Sequence, residues 1–167
     1  MTKRTLADFL PESHITWLEE REKVPALRSM LGLLRNSRAV TDPSALENAI
    51  LSREVMMSTG VGYGVAVPHA RIPTVDEFVL ALGISAEGVA YSPVIDDKPV
   101  RLIVMIAGPD NSRNGYLKLL STLMRFIKSE KGKILSSTST EEIRRFAARY
   151  AMELESNDEA EKDRSTS

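Results

Sequence analysis

Residues 78–106 read FVLALGISAEGVAYSPVIDDKPVRLIVMI, and this stretch decides the fold. Its two ends, residues 78–84 and 100–106, are short and almost continuously apolar, which is typical of central strands covered on both faces of a sheet. Glycine, proline and aspartate supply turns between them, with room for a short extra strand at residues 89–91. The connection is too short to hold a crossover helix, so the sheet is expected to be mixed.

Helical patterns lie on either side of this stretch. A first strand at residues 15–18 precedes a helix predicted at 24–36, and Asp42-Pro43 forms a cap and first-turn pair for a second helix. After the sheet, an apolar stripe predicts a helix over 115–128, and Ser139 opens a final helix with a capping box. Strands interleaved with helices predict an α/β fold with a mixed β-sheet flanked by helices.

The size and composition of the chain predict one globular unit. It has 167 residues, of which 43% are hydrophobic, enough to build a single core. We expect this domain to occupy residues 1–155. Residues 156–167 lack apolar periodicity and are predicted to form a disordered tail.

Several classes of function are disfavoured by the charge and residue usage. The 22 basic and 23 acidic residues are interspersed, so no basic surface for nucleic acid is indicated. No apolar run is long enough to cross a membrane or to serve as a secretory signal, and a cytoplasmic protein without membrane insertion is expected. With no cysteine and two histidines far apart, neither a metal nor another cofactor is predicted. Of those histidines, His14 is expected to be structural or surface exposed.

The chemistry of the chain is concentrated in residues 58–71, which read STGVGYGVAVPHAR. Glycine at every second position allows close approach of another molecule or backbone, and Pro68 restricts the backbone that presents His69. The glycine spacing matches neither the dinucleotide fingerprint nor a P-loop. Two interpretations of these residues stay open. The segment either presents a reactive imidazole on a rigid backbone, or it is a glycine-rich turn before a core strand in which His69 only makes hydrogen bonds to the backbone.

Neighbouring residues favour a functional site for an anion. Arg71 lies two residues after His69, so both side chains share a face if the chain is extended. A guanidinium there would stabilise phosphate and would lower the pKa of the imidazole, leaving a ring nitrogen free to attack. Ser58 and Thr59 supply hydroxyl donors at the start of the loop, although hydroxyls in such places also serve local turns and caps.

The run REVMMSTGVGYGVAVPHAR, residues 53–71, resembles the active-site segment of enzyme IIA domains of the fructose/mannitol class in the phosphoenolpyruvate-dependent phosphotransferase system. The nitrogen-regulatory branch is most similar, and the resemblance extends over roughly residues 5–150. It implies that His69 accepts a phosphoryl group from a histidine phosphocarrier protein. The group then passes to a separate IIB protein, or is held as a signal toward a regulated target. The resemblance also implies that Arg53 lies beside the histidine, and it assigns no task to Glu54.

One position departs from the family pattern. Where the family usually has a second histidine, at the start of a helix, this chain has Tyr116. A phenol can donate one neutral hydrogen bond to a phosphoryl oxygen but does not become cationic. Tyr116 either assists the phosphoryl site in this altered way or only packs its ring on the core. An alternative function follows, a non-catalytic regulatory protein that controls a partner through its IIA-like surface.

Overall fold

The computed structural model describes residues 2–56, 59–94 and 96–154. Two short 3-10 turns, Leu6–Phe9 and Glu12–His14, lie between the first two strands. In chain order the strands and helices are β1 (Thr2–Thr5), β2 (Ile15–Trp17), α1 (Lys23–Leu34), α2 (Pro43–Met56), β3 (Gly60–Gly62), β4 (Val65–Ala66), β5 (His69–Arg71), β6 (Val79–Val89), β7 (Val100–Gly108), α3 (Arg113–Ser136), α4 (Thr140–Ala147) and β8 (Ala151–Leu154).

The main sheet is mixed, as predicted. Its strand order is β2-β6-β7-β4-β3, and β5 also pairs with β7. Strands β6 and β7 are antiparallel, with pairs running from Val79 opposite Ala107 to Val89 opposite Val100. Strand β2 is parallel to β6, and β4 and β5 are both parallel to β7. Strands β1 and β8 form a separate antiparallel pair, which the sequence pattern did not predict.

Helices cover both faces of the main sheet. Along β6, Leu80 and Leu82 join an apolar cluster that includes residues of α3 and α4. Val79 and Ala81 point the other way, into a cluster with residues of α1 and α2. Successive side chains of a strand point to opposite faces of the sheet. The almost continuously apolar strands β6 and β7 therefore supply side chains to both clusters. The prediction of an α/β domain with a sheet flanked by helices is confirmed.

Two predicted boundaries are wrong. No separate strand forms at residues 89–91, because β6 continues through a register shift to Val89; Gly88 there has φ +95° and donates its N–H to Ser85 Oγ. The helix predicted at 115–128 extends to Ser136. Its charged second half looks solvated in sequence, but Glu130 and Ile134 are buried in that half, and tertiary packing therefore lengthens the helix.

Both predicted N-caps form and His14 is structural, but only half of the capping box predicted at Ser139 is present, because the N–H of Ser139 donates to Ser137 Oγ at 3.2 Å rather than to Glu142. Asp42 Oδ1 accepts the N–H of Ala45 at 3.1 Å, and Ser139 Oγ accepts the N–H of Glu142 at 3.2 Å. His14 is 5% exposed, and its Nδ1 lies 3.0 Å from the carbonyl oxygen of Leu80. It therefore ties the segment before β2 to β6.

Among the residues that the structure describes, none of the helices is both long and apolar enough to cross a membrane. The predicted tail, residues 156–167, lies outside the described residues.

Phe78 fills the space beside two glycines, Gly108 at the end of β7 and Gly115 in the first turn of α3. A Cβ added to Gly108 would lie 2.4 Å from the Phe78 ring, and one added to Gly115 would lie 3.2 Å from it. The absence of side chains at these glycines therefore lets the start of α3 approach the end of β7 closely.

Replacing Gly108 with alanine tests this packing. We expect Gly108→Ala to lower the free energy of unfolding by about 1–3 kcal/mol, because the new methyl group overlaps an aromatic ring in a packed core. Gly132→Ala is the matched control: Gly132 is exposed on α3 with nothing within 4 Å of an added Cβ, so the change should raise stability by about 0.5–1 kcal/mol. Urea denaturation measures both, and equal effects of the two substitutions would contradict the packing argument.

Candidate functional site

Strand β5 holds His69 and Arg71 on one face. It pairs in parallel with β7, placing His69 opposite Ile106 and Arg71 opposite Gly108. Ala70 between them is buried, whereas His69 and Arg71 are half-buried. The alternation predicted from the sequence is therefore present, and an imidazole and a guanidinium share one side of the strand.

The imidazole of His69 has a fixed orientation. Its Nδ1 lies 2.8 Å from the carbonyl oxygen of Val67, two residues earlier. A carbonyl oxygen only accepts hydrogen bonds, so Nδ1 carries the hydrogen when the bond forms. In the neutral ring Nε2 then has a free lone pair, which is the state required of a nucleophile.

The surroundings of His69 favour the neutral ring. Burial lowers the pKa of His69 below its ordinary value of 6.5, and the hydrogen bond to Val67 opposes this shift. The positive charges of Arg53 and Arg71 lower the pKa further, whereas the negative charge of Glu54 raises it. Arg53, in the last turn of α2, is therefore brought within electrostatic reach of the histidine although it is distant from it in sequence.

Tyr116 also lies at the site. Its ring centroid is 5.8 Å from that of His69, with the ring planes tilted by 35°. The guanidinium carbon of Arg71 lies 4.8 Å from the centroid of the same tyrosine ring, within the range of a cation–π contact. Burial raises the pKa of Tyr116, opposed by the charges of Arg53 and Arg71, so the phenol stays neutral near pH 7. Arg71 Nη1 is buried and has no hydrogen-bond partner among the described residues.

The remaining predicted residues are placed as follows. Ser58 lies outside the described residues. The hydroxyl of Thr59 contacts Glu54 Oε1 and lies 2.9 Å from the hydroxyl of Tyr91, while its carbonyl oxygen accepts the N–H of Val67 at 3.0 Å. These contacts place Thr59 in the support of the loop, and a direct role of Thr59 toward a phosphoryl group stays a prediction.

The glycines of the motif build a tight hairpin between β3 and β4. Gly62, Tyr63 and Gly64 have φ values of +85°, +57° and +75°, a left-handed conformation that favours glycine. The carbonyl oxygen of Gly64 accepts the N–H groups of Arg101 and Leu102 at 2.8 and 3.0 Å. The alternative interpretation, a glycine-rich turn before a core strand, therefore accounts for Gly62 and Gly64.

Glu54 has a structural task that the sequence interpretation missed. Its carboxylate lies 2.7 Å from the Lys23 ammonium, accepts a hydrogen bond from the Tyr91 hydroxyl at 2.9 Å, and contacts both the amide and the hydroxyl of Thr59. Burial raises the pKa of Tyr91, so this hydroxyl keeps its proton to donate. The network ties the ends of α1 and α2 to the start of the glycine segment.

A signal for this network was present in the sequence. Glu54 follows Leu46 and Ile50 at intervals of four residues, and all three are buried on one face of α2. A carboxylate at a buried helical position requires a partner, which here is Lys23. The partner itself could not be identified, because it belongs to a different helix.

The described residues contain no group of three or more histidine, cysteine or acidic residues that could hold a metal ion. The groups at the site are one imidazole, two guanidinium groups and a phenol, a set suited to neutralising an anion next to a nucleophilic nitrogen.

Comparison with known proteins identifies the family. The model of the family described as "Phosphoenolpyruvate-dependent sugar phosphotransferase system, EIIA 2" matches residues 8–149. The chain is 34% identical over 123 residues to a fructose-specific EIIA component of Haloferax volcanii, covering 72% of this chain and 79% of that protein. It is 35% identical over 113 residues to a fructose-specific EIIABC component of Bacillus subtilis, covering 68% of this chain but only 18% of the longer protein.

Solved structures agree with this assignment. The nitrogen regulatory protein IIA-Ntr of Neisseria meningitidis has a TM-score of 0.77 and 30% identity, covering 84% of this chain and 97% of that one. The mannitol IIA of Escherichia coli has a TM-score of 0.66 and covers 83% and 98%; at 23% identity it supports the fold alone. The chain belongs to the type 2 enzyme IIA family of the phosphotransferase system.

The protonation of the two histidines can be tested by titration. Burial also lowers the pKa of His14, so for both rings the folded-state pKa lies below the unfolded value of about 6.5. As pH falls below 6.5, the unfolded chain takes up protons first, and stability that is fully present above 6.5 is progressively lost. We expect NMR midpoints below 6.5 for both rings, with Nδ1 of His69 protonated and Nε2 unprotonated at pH 7. A midpoint for His69 above 6.5 would contradict the described environment.

The Glu54 network predicts a large stability effect at one position of α2. Glu54→Ala should lower the free energy of unfolding by about 3 kcal/mol or more, because Lys23, with a side chain 17% exposed, loses its partner. Glu54→Gln should cost less, since the amide oxygen still accepts hydrogen bonds. Glu47→Ala is the control on the same helix. Glu47 pairs with Arg28, whose side chain is 64% exposed, so its loss should cost at most about 1 kcal/mol. Chemical denaturation compares the three variants, and similar losses for Glu54→Ala and Glu47→Ala would argue against the network.

Proposed function

We propose that this protein is a phosphocarrier in which Nε2 of His69 accepts a phosphoryl group from a histidine phosphocarrier protein. The group then passes to a separate IIB protein or persists as a signal toward a regulated target. The observation that carries this proposal is the bond from His69 Nδ1 to the carbonyl of Val67, which leaves Nε2 as the nucleophile. Membership of the enzyme IIA family supports it.

The transfer balances without a cofactor. The lone pair on Nε2 forms the new phosphorus–nitrogen bond, while the corresponding bond in the donor breaks and its electron pair returns to the donor nitrogen. The His69 ring gains positive charge as the bond forms. The Val67 carbonyl, accepting from Nδ1–H, stabilises that charge without moving, so the site is organised before the reaction begins.

The arginines provide the electrostatic part of the reaction. Phosphoryl transfer depends on positioning and on neutralising the oxygens of the transferring group. In this proposal Arg71 binds one of these oxygens through Nη1, which is buried and has no hydrogen-bond partner in the described part of the chain. Arg53 contributes a second positive charge from the end of α2. The same charges lower the pKa of His69, which keeps its nucleophilic form available near pH 7.

Names of related proteins support the two possible destinations of the phosphoryl group. One structural neighbour is a complex of the mannitol enzyme IIA with the phosphorylated enzyme IIB of Escherichia coli, with a TM-score of 0.59. A nitrogen regulatory protein of Bradyrhizobium diazoefficiens is 25% identical over 120 residues. We propose the regulatory use for this chain, on the similarity of its motif and structure to the nitrogen-regulatory branch.

The second candidate is a non-catalytic regulator that binds its partner through the unmodified IIA-like surface. The observation in its favour is Tyr116, a neutral phenol 5.8 Å from the His69 ring at the place where the family resemblance implies a second histidine. In that case phosphorylation would contribute nothing to partner control.

A labelling experiment separates the two candidates. The protein is incubated with labelled phosphoenolpyruvate, enzyme I and the phosphocarrier protein, and we expect label that is acid-labile and alkali-stable, as phosphohistidine is. His69→Ala should abolish it. His14→Gln is the matched control, because it removes the other histidine and glutamine can still donate to the Leu80 carbonyl. Absence of label from the folded wild-type protein would reject the phosphocarrier and leave the binding regulator.

A further inference from the structure

The group that replaces the expected second histidine is in contact with a cation. Tyr116 lies in the first turn of α3, where its N–H donates to the carbonyl of Ser112 at 3.0 Å. Its ring is half-buried, packs against the apolar cluster beneath α3, and faces both His69 and Arg71. The ring of Tyr116 therefore contacts the core on one side and lies near the imidazole and the guanidinium of the site.

The backbone of Arg71 is anchored to β7. It pairs with Gly108 on β7, and the next residue, Ile72, donates its N–H to the Gly108 carbonyl at 2.9 Å. At the other end Nη1 is buried without a hydrogen-bond partner among the described residues. The guanidinium carbon lies 4.8 Å from the centroid of the Tyr116 ring. A buried donor left unpaired is unfavourable, and an incoming oxyanion would satisfy it.

We infer that Tyr116 is a positioning residue that acts through Arg71: its ring holds the guanidinium beside His69 with one donor free for a phosphoryl oxygen. This inference rests on the proposed phosphocarrier function. Tyr116 then acts through the face of its ring, which contacts Arg71, and not through its hydroxyl. A guanidinium held in this way keeps its positive charge at all physiological pH values, which an imidazole would not.

The charged residues around the site leave Arg71 without an acidic partner in the described part of the chain. The charged residues that act on His69 are Arg53, Glu54 and Arg71, and those that act on Tyr116 are Arg53 and Arg71. Glu54 is held by Lys23 and Tyr91, so it is not available as a partner for the Arg71 guanidinium. The aromatic face is thus the contact that orients Arg71 without neutralising it.

The test is the rate of His69 labelling in a set of variants. Tyr116→Phe keeps the ring face and should stay within about twofold of the wild type, whereas Tyr116→Leu should be about tenfold slower because the cation–π contact is lost. Arg71→Met should be slower by tenfold or more. Arg145→Met, which removes an exposed arginine of α4, controls for general loss of positive charge and should have no effect.

The decisive measurement is the double variant. If Tyr116 acts through Arg71, then Tyr116→Leu should add no more than about a twofold loss once Arg71→Met is present. A full additional tenfold loss would overturn the inference. So would a Tyr116→Phe variant as slow as Tyr116→Leu, which would assign the role to the hydroxyl, or a Tyr116→Leu variant as fast as the wild type.

A second readout does not depend on transfer. Arg71 lowers the pKa of His69, so Arg71→Met should raise the NMR titration midpoint of the His69 ring. Tyr116→Leu should also raise it by releasing the guanidinium, but by less when Arg71→Met is already present. Equal shifts in both backgrounds would overturn the positioning role. If the wild type is not labelled on His69 but the shifts are non-additive, the proposed function fails and the Tyr116–Arg71 contact remains.

Discussion

The pairing of β5 with β7 is the interaction on which the site depends. Ile106 donates its N–H to the Pro68 carbonyl, and Ile72 donates to the Gly108 carbonyl, both at 2.9 Å, so the backbone is bonded on each side of His69. Strand β7 is buried along nearly its whole length and is paired with β6 on its other edge. The backbone that presents the imidazole is therefore held directly against a central strand of the sheet.

The site forms where the layers of the fold meet. From the α1 and α2 side, Glu54 ties α2 to the glycine segment, and the neighbouring Arg53 supplies charge. From the other face, α3 begins shortly after β7 and brings Tyr116 to the histidine. Arg53 and Tyr116 come from different helices, and His69 lies on a strand between them. If the helices no longer packed on the sheet, these side chains would separate although none of them had been replaced.

The electrostatics of the site combine a neutral nucleophile with permanent cations. Burial and the arginines keep His69 neutral near pH 7, while the carbonyl of Val67 directs its proton to Nδ1. The resemblance implies a titratable second histidine in such sites, and here a neutral phenol lies against a guanidinium instead. The substitution removes a group whose charge changes near neutral pH and leaves positive charge that does not.

The sequence by itself determined the fold class, the main helices and strands, the caps at Asp42 and Ser139, and the motif around His69, because apolar periodicity and short-range chemistry are local. It did not reveal the pairing of β1 with β8, the full length of α3, or the partners of Glu54. All three features depend on contacts between residues that are distant in the chain. In α3, burial of Glu130 and Ile134 overrides the local polarity of the sequence. The spacing of two residues already placed Arg71 beside His69, but only the tertiary structure brought Arg53 of α2 and Tyr116 of α3 to the same imidazole, because no sequence spacing encodes the relative placement of separate elements.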